Sequence, residues 1–319
     1  MKLNTVLKAG IAIALMFGVS STAKASLISS FETQFDTDFT VAAVGGLRGN
    51  GFGDINLTGV VGTVTKAYLY WHGPTNSTDP NFNADITLNG NAINGINIGF
   101  SDDNFWGQDN SQAYRADVTS LVNADGTYSL AGLSAANSNG ASLVVYYDDG
   151  DSSNNRDIVS FDGNDANFPN SYDPDGWLVG LSGINYSGGS AFLTMGVSDG
   201  QDFSVGDDGF FYLNGIALNT ADLFDGTTVP QTPGSSVENG SLWDLVSIDI
   251  TSFLNIGLNS LSLTHSGQSD ALSAIHFAIN LPAGAAPQID PDPTDIPEPA
   301  MWSLFLVALY VCRKSLHLS

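Results

Sequence analysis

The chain has 319 residues, of which nine are Lys or Arg and 33 are Asp or Glu, so its formal net charge at pH 7 is −24. So few basic side chains exclude a protein that binds nucleic acid through many phosphate contacts. The 35 Gly and the 13% charged residues exclude a long helical bundle, and the 43% hydrophobic residues exclude a chain that is disordered throughout.

The N-terminus has the features of a secretory signal peptide. Two lysines precede a short apolar run at 11–19, and the small residues Ala23 and Ala25 stand two positions apart. A buried helix is the alternative, but the run is short and lies at the extreme N-terminus. The pattern predicts that residues 1–25 are removed by a signal peptidase and that the mature chain begins at Ser26.

The region between the two ends predicts an all-β fold. Short runs of strand-forming residues recur at intervals of about ten residues, bounded by Gly, Asn and Asp, and no helical period persists. We therefore expect an all-β sandwich in this region, and short helices only at the two ends of the chain. The clearest strand runs are 65–71, 84–88, 126–130, 141–147 and 157–161.

Three short segments recur in the same order about 130 residues later, which is close to the size of one small domain. A duplication explains the order and spacing, and chance matches among common strand sequences are the alternative. The duplication predicts two tandem lobes, at 26–170 and at 171–281. The paired segments are 67–69 with 191–193, 88–90 with 213–215, and 117–120 with 249–252.

The body resembles galactose-binding-like jelly-roll lobes and repeat-containing bacterial surface regions of uncharacterised function. The resemblance rests on strands that end in Leu-Asn-Gly and on three ordered segments, at 115–119, 140–147 and 162–163. The resemblance implies two β-sandwich lobes of the jelly-roll kind. It implies nothing specific about activity.

The C-terminal part changes in composition. A Pro-rich spacer at 282–296 is expected to be semi-rigid and extended. It is followed by an apolar run at 301–312, which is shorter than the roughly 20 residues that span a bilayer comfortably. Arg313 and Lys314 follow that run and favour the cytoplasmic side of a membrane. We therefore expect a transient contact with the inner membrane.

The tail at 297–319 resembles the PEP-CTERM sorting signal of Gram-negative bacteria. The likeness rests on Pro297-Glu298-Pro299, the apolar run and the basic pair, in that order. The resemblance implies that an exosortase, a membrane transpeptidase, recognises Pro297, Glu298 and Pro299 and passes the protein to the cell surface. A plain C-terminal anchor behind a Pro-rich stalk is the alternative.

Acidic loops make Ca²⁺ the expected cofactor, if there is one. Ca²⁺ takes six to eight oxygen ligands, and Asp suits tight loops. Solvated turn residues are the alternative. The expected ligands are Asp148, Asp149, Asp151, Asn154 and Asp157, in a run that continues to Asp162, Asn164 and Asp165, and further acidic loops surround Asp102 and Asp202.

Glycan binding is a second hypothesis, because sugars stack on exposed aromatic rings. Trp106 and Trp177 lie in polar, loop-like segments that suit this chemistry. The alternative is that both rings fill the ends of the sandwich cores.

We expect that the protein is not an enzyme. His72, His265 and His276 are far apart in sequence, and no nucleophile-elbow or zinc-helix motif is present. The expected function is an exported surface or matrix protein, structural or adhesive in an exopolysaccharide layer, with no nucleic-acid partner. A carbohydrate-binding module is the alternative, followed by a glycoside hydrolase, because 32 acidic residues in the body always offer a carboxylate pair.

Overall fold

The computed structural model describes residues 27–102, 107–202, 206, 208–218, 223–233, 242–267 and 270–287. Helices expected at the two ends, the predicted signal peptide and the predicted sorting tail lie outside these residues. The described part is built almost entirely of β-strands, which confirms the all-β prediction.

Seventeen strands and two short 3₁₀ helices are described. The first nine strands are β1 (Ile28–Val44), β2 (Gly53–Leu57), β3 (Thr63–Thr75), β4 (Asp85–Leu88), β5 (Asn91–Asn94), β6 (Ile96–Ser101), β7 (Asn110–Asp117), β8 (Gly126–Ala131) and β9 (Gly140–Asp148). The others are β10 (Arg156–Ala166), β11 (Leu178–Tyr186), β12 (Phe192–Ser198), β13 (Phe210–Leu213), β14 (Ile216–Ala217), β15 (Trp243–Asp249), β16 (Gly257–Ser266) and β17 (Ser273–Pro282). The 3₁₀ helices are Thr119–Leu121 and Thr251–Phe253.

The long strand β1 connects the two halves of the body. Its first part, from Ile28 to Thr37, pairs antiparallel with β10, and its second part, from Asp38 to Val44, pairs antiparallel with β9. The result is one nine-stranded sheet with the order β15-β12-β17-β10-β1-β9-β3-β7-β6.

Side chains from the two halves of this sheet pack against each other. Tyr70 of β3 lies against His276 of β17, with ring centroids 4.9 Å apart. Trp243 Nε1 of β15 donates to Ser142 Oγ of β9 at 2.8 Å. The sheet therefore folds along β1 into two facing layers. We call them inner sheet 1 (β9, β3, β7, β6 and the second part of β1) and inner sheet 2 (β10, β17, β12, β15 and the first part of β1).

A four-stranded outer sheet covers the other face of each inner sheet. Outer sheet 1 has the order β2-β8-β4-β5, and outer sheet 2 has the order β11-β16-β13-β14. In β3, Leu69 and Trp71 belong to the core under outer sheet 1, whereas Tyr68 and Tyr70 face inner sheet 2. This two-residue alternation is the strand period. The body is thus a stack of four β layers, formed by two sandwiches packed back to back.

The two sandwiches repeat the same strand order. In the inner sheets β9-β3-β7 corresponds to β17-β12-β15, and in the outer sheets β2-β8-β4-β5 corresponds to β11-β16-β13-β14. Asn89 and Asn214 both open a hairpin with positive φ, at 50° and 51°. Their Oδ1 atoms accept the N–H groups of Ser129 and Ser262 at 2.7 and 2.8 Å. Matching hydrogen bonds at matching positions support the predicted duplication.

The predicted boundary between the lobes needs a correction. The sequence predicts that β10 belongs to the first lobe, which is expected to end at residue 170. In the structure β10 pairs with β17, and its Val159 and Phe161 belong to the core of the second sandwich. The repeats therefore meet in the loop at 149–155. Apolar alternation predicts that a strand forms, but it carries no information about the partner strand.

Candidate functional site

The loop at 149–155 and the end of β9 carry four of the five predicted Ca²⁺ ligands. Carboxylate oxygens of these residues accept hydrogen bonds within the turns of this loop. Asp149 Oδ1 accepts the N–H of Asp151 at 2.7 Å, and Asp149 Oδ2 accepts from Asn154 Nδ2 at 2.8 Å. Asp148 Oδ1 accepts the N–H of Gly150 at 2.8 Å. These hydrogen bonds form Asx-type turns. They do not test Ca²⁺ binding by these residues, which stays a prediction.

Asp157, the fifth predicted ligand, is 1% exposed and serves another purpose. Its Oδ1 accepts the N–H of Asp36 at 3.2 Å, and its Oδ2 accepts the N–H of Ala286 at 3.0 Å. It thus ties an irregular point of β1 to the segment that follows β17. Because both oxygens accept from backbone donors, the structure gives Asp157 a structural role, and its role as a Ca²⁺ ligand stays a prediction.

A second acidic cluster lies at the other end of β10. Asp165 is 0% exposed, and neither of its carboxylate oxygens has a hydrogen-bond partner. Burial, together with the nearby carboxylates of Asp173 and Asp175, raises the pKa of Asp165 to about 8. In the sequence, Asp165 is only the end of a long acidic run, because its burial follows from how β10 packs.

Local hydrogen bonds shape the loop after β10, which carries Asp173 and Asp175. Asn170 Oδ1 accepts the N–H groups of Tyr172 and Asp173 at 2.8 and 3.1 Å. Asp173, which is buried, accepts the N–H of Asp175 with its Oδ1 at 2.9 Å. Across the described ranges, no three His, Cys, Asp or Glu side chains form a group that could hold a metal ion as they stand. We call Asp165, Asp173 and Asp175 the β10 acidic cluster.

Of the two tryptophans predicted to bind glycans, Trp106 lies outside the described residues and Trp177 is 1% exposed. The Trp177 ring stacks on His265 with centroids 4.4 Å apart, and it packs edge-on against Phe224 and Phe277. The prediction of a sugar-stacking role for Trp177 is therefore wrong, because this ring fills the core of the second sandwich.

Exposed aromatic residues lie instead on outer sheet 2. Phe210 is 53% exposed, and Tyr212, next but one in β13, is half-buried on the same outward face. Their ring centroids are 6.4 Å apart. The matching positions of β4, counted from the shared hairpin turn, hold Asp85 and Thr87. The second repeat thus presents an aromatic pair where the first presents polar side chains.

The three histidines of the body are buried and separate. His72 Nδ1 and Ser198 Oγ are 2.7 Å apart, but both side chains are 0% exposed, so no substrate reaches this pair as it stands. Burial lowers the pKa of His265 to about 4 and that of His276 to about 3. Their ring contacts with Trp177 and Tyr70 indicate packing roles.

Comparisons with protein-family models and with curated proteins give no match to this chain. Its functional interpretation therefore rests on its own residues.

The predicted sorting and processing residues lie outside the described part of the chain. They are Ala23, Ala25, Pro297, Glu298, Pro299, Arg313 and Lys314. Within the described ranges, no helix has the length and hydropathy needed to cross a membrane. β17 ends at Pro282, so residues 283–296 separate the last strand from the Pro-Glu-Pro motif.

Proposed function

We propose that the chain is an exported surface or matrix protein of a Gram-negative bacterium, without enzymatic activity. In this proposal a signal peptidase cleaves after Ala25, the tail contacts the inner membrane transiently, and an exosortase cleaves near Pro297-Glu298-Pro299. The four-layer body then serves a structural or adhesive role in the exopolysaccharide layer.

The observation that carries the proposal is the three-part C-terminal tail. The Pro-Glu-Pro motif, the short apolar run and the pair Arg313-Lys314 follow one another within the last 23 residues, 297–319. The compact unit of the body ends at Ala286, so the motif follows the folded body after a Pro-rich stretch. Pro-rich linkers act as semi-rigid spacers, and in this proposal the stretch holds the body clear of the membrane while the motif is read.

The body has properties that suit a passive surface component. Between residues 26 and 296 there are 32 acidic and four basic side chains, a net charge of −28. Such a charge keeps copies apart at low salt and attracts divalent cations. Cross-layer polar contacts such as Tyr146 Oη to Ser160 Oγ, 2.6 Å apart, hold the two sandwiches together without disulfides.

Fractionation of cells that express the full chain tests the sorting step. We expect the wild-type protein in the surface or extracellular fraction, and a Glu298→Ala variant retained in the inner membrane. Glu238→Ala is the matched control, because Glu238 is the other Glu in the C-terminal half of the sequence. This variant should be sorted normally. Normal surface delivery of the Glu298→Ala variant contradicts the proposed recognition.

Glycan binding is the second candidate, and the exposed Phe210–Tyr212 pair favours it. Two outward rings on a sheet can stack on sugar rings, and neighbouring polar groups such as Thr264 can bind hydroxyl groups. The duplicated position in the first repeat lacks this pair, so the aromatic residues are not needed by the fold. Their presence on one repeat alone points to a binding surface that was added to the scaffold.

A further inference from the structure

We propose that a groove between the two inner sheets binds a small, neutral, amphipathic molecule. The groove has a volume of about 420 Å³, which is within the range of small-molecule sites in proteins. Four apolar and four neutral polar side chains line it: Phe39, Val41, Phe192 and Leu245, and Thr40, Thr194, Ser247 and Asn280. The site is independent of the proposed sorting function and of the aromatic pair on outer sheet 2.

The groove has an apolar wall from each sandwich. Phe39 and Val41 belong to the second part of β1, whereas Phe192 belongs to β12 and Leu245 to β15. Phe39, Val41 and Leu245 are partly buried against the core between the inner sheets, so the groove is a place where this core reaches the surface. The Phe39 ring packs on Tyr146, with centroids 5.5 Å apart. A ligand that covers these apolar walls removes them from water, which is favourable.

The duplication supplies an internal reference for this space. Tyr70 of β3 and Arg115 of β7 are cross-strand partners. Counted from the repeated segments, the matching partners in the second repeat are Thr194 and Ser247. Arg115 lies over the ring of Phe31, 3.4 Å from its centroid, and so fills space between the inner sheets.

The matching side chains of the second repeat are much shorter. Thr194 Oγ1 donates to Ser247 Oγ at 3.3 Å, and the groove lies beside this pair. The groove is therefore a difference between the two repeats, and the shared fold does not require it.

The charge of the lining selects a neutral ligand. None of the eight lining side chains is charged, so neither a cation nor an anion finds an ionic partner among them. The body between residues 26 and 296 has a net charge of −28 and repels anions in addition. The neighbouring Arg156 already donates from its Nε to Asn280 Oδ1 at 2.5 Å.

The polar lining selects a ligand that carries a hydrogen-bonding group. A hydroxyl group both donates and accepts hydrogen bonds. The hydroxyl groups of Thr40, Thr194 and Ser247 can therefore bind a hydroxyl, amide or amine on a molecule that is otherwise apolar. Ligand sites of this kind combine an apolar lining with a few polar groups that orient the ligand.

Fluorescence titration of the full chain with N-phenyl-1-naphthylamine, a neutral aromatic amine, tests the site. The matched probe is 8-anilinonaphthalene-1-sulfonate, which has the same ring skeleton and a negative charge. We expect saturable binding of the neutral probe and at least about tenfold weaker binding of the sulfonate.

Ser247→Arg places in the groove the side chain that fills the matching position of the first repeat. It should weaken binding of the neutral probe by at least about tenfold and leave the melting temperature within about 2 °C. Ser260→Arg is the matched control, because Ser260 is also an exposed serine in a strand, on outer sheet 2. This control should bind the neutral probe as the wild type does.

Four outcomes overturn the proposal. They are a wild-type chain that shows no saturable binding of the neutral probe, equal affinities for the two probes, a Ser247→Arg variant that binds the neutral probe unchanged, and a loss of binding in Ser260→Arg alone. If Ser247→Arg does not fold, Thr194→Tyr takes its place under the same criteria, because Tyr70 stands at the matching position. Surface delivery of the protein is unaffected by any of these outcomes, so the sorting proposal is tested separately.

Discussion

Arg115 of the first repeat donates a hydrogen bond to the carboxylate of Asp162 in the second repeat, across the interface between the two inner sheets. The guanidinium also lies over the ring of Phe31, 3.4 Å from its centroid. Tyr70 Oη adds a second hydrogen bond to Asp162 at 3.2 Å. A single cation thus neutralises a buried carboxylate and connects the two sandwiches.

Replacing Arg115 by Met should destabilise the body strongly. The change leaves Asp162, whose side chain is 8% exposed, buried without its cation. Removing one partner of a buried pair costs about 3 kcal/mol or more. Lys66→Met is the matched control, because the Lys66–Asp117 pair is far more exposed and should cost less than about 1 kcal/mol. Urea unfolding measures the free energy of unfolding of both variants. Equally small losses in the two variants would contradict the role given to Arg115.

The duplication predicts matched effects at Asn89 and Asn214. Both residues have a left-handed backbone and accept a backbone N–H with their side chains. Alanine loses that hydrogen bond and tolerates the positive φ poorly, so each Asn→Ala change should cost about 1–2 kcal/mol. Glycine at the same positions removes the strain and should cost less. Thermal unfolding that shows a loss at one site only would weigh against equivalent repeats.

The stability of the body should fall as the pH rises from 6.5 to 8 in EGTA. The pKa of Asp165 is raised to about 8 and that of Asp244 to about 7, mainly by burial. In this range the folded state holds protons that the unfolded chain has lost, so each group lowers stability by up to ~1.4 kcal/mol per pH unit. His265 and His276 have lowered pKa values and act in the opposite direction, but only below about pH 6.5.

Urea unfolding at four pH values in this window measures the slope. Asp165→Asn cannot titrate and should show a flatter slope than the wild type. A wild-type stability that stays constant or rises between pH 6.5 and 8 would contradict the raised pKa values.

The aromatic pair on outer sheet 2 should retard the protein in gels that contain the polysaccharide of the producing bacterium. Phe210→Ser combined with Tyr212→Ser should abolish the retardation and leave the melting temperature within about 2 °C, because exposed side chains contribute little to stability. Phe52→Ser is the matched control, because Phe52 is 52% exposed but lies in the first repeat. Equal mobility of the wild type with and without polysaccharide would remove the glycan-binding candidate.

Much of the architecture could be predicted because its signals are local. The Asn89-Gly90 and Asn214-Gly215 pairs predict tight turns from their own conformational preferences, and the structure has hairpins at both. The placement of β10 could not be predicted in this way. Its pairing with β17, more than 100 residues later, depends on contacts that no local pattern records.

The candidate sites depend on burial, which the sequence describes poorly. Trp177 lies in a polar, Pro-containing loop segment, yet its ring fills the core of the second sandwich because β11 begins directly after it. Asp157 and Asp165 look alike in an acidic run, but backbone donors reach only the first. The distinction appears only when the strands are packed.

Mass spectrometry of the protein recovered from the cell surface tests the proposed export and sorting. We expect a mature chain that begins at Ser26 and has lost the segment after the Pro297-Glu298-Pro299 motif. Surface material whose C-terminus is intact at Ser319 would contradict it.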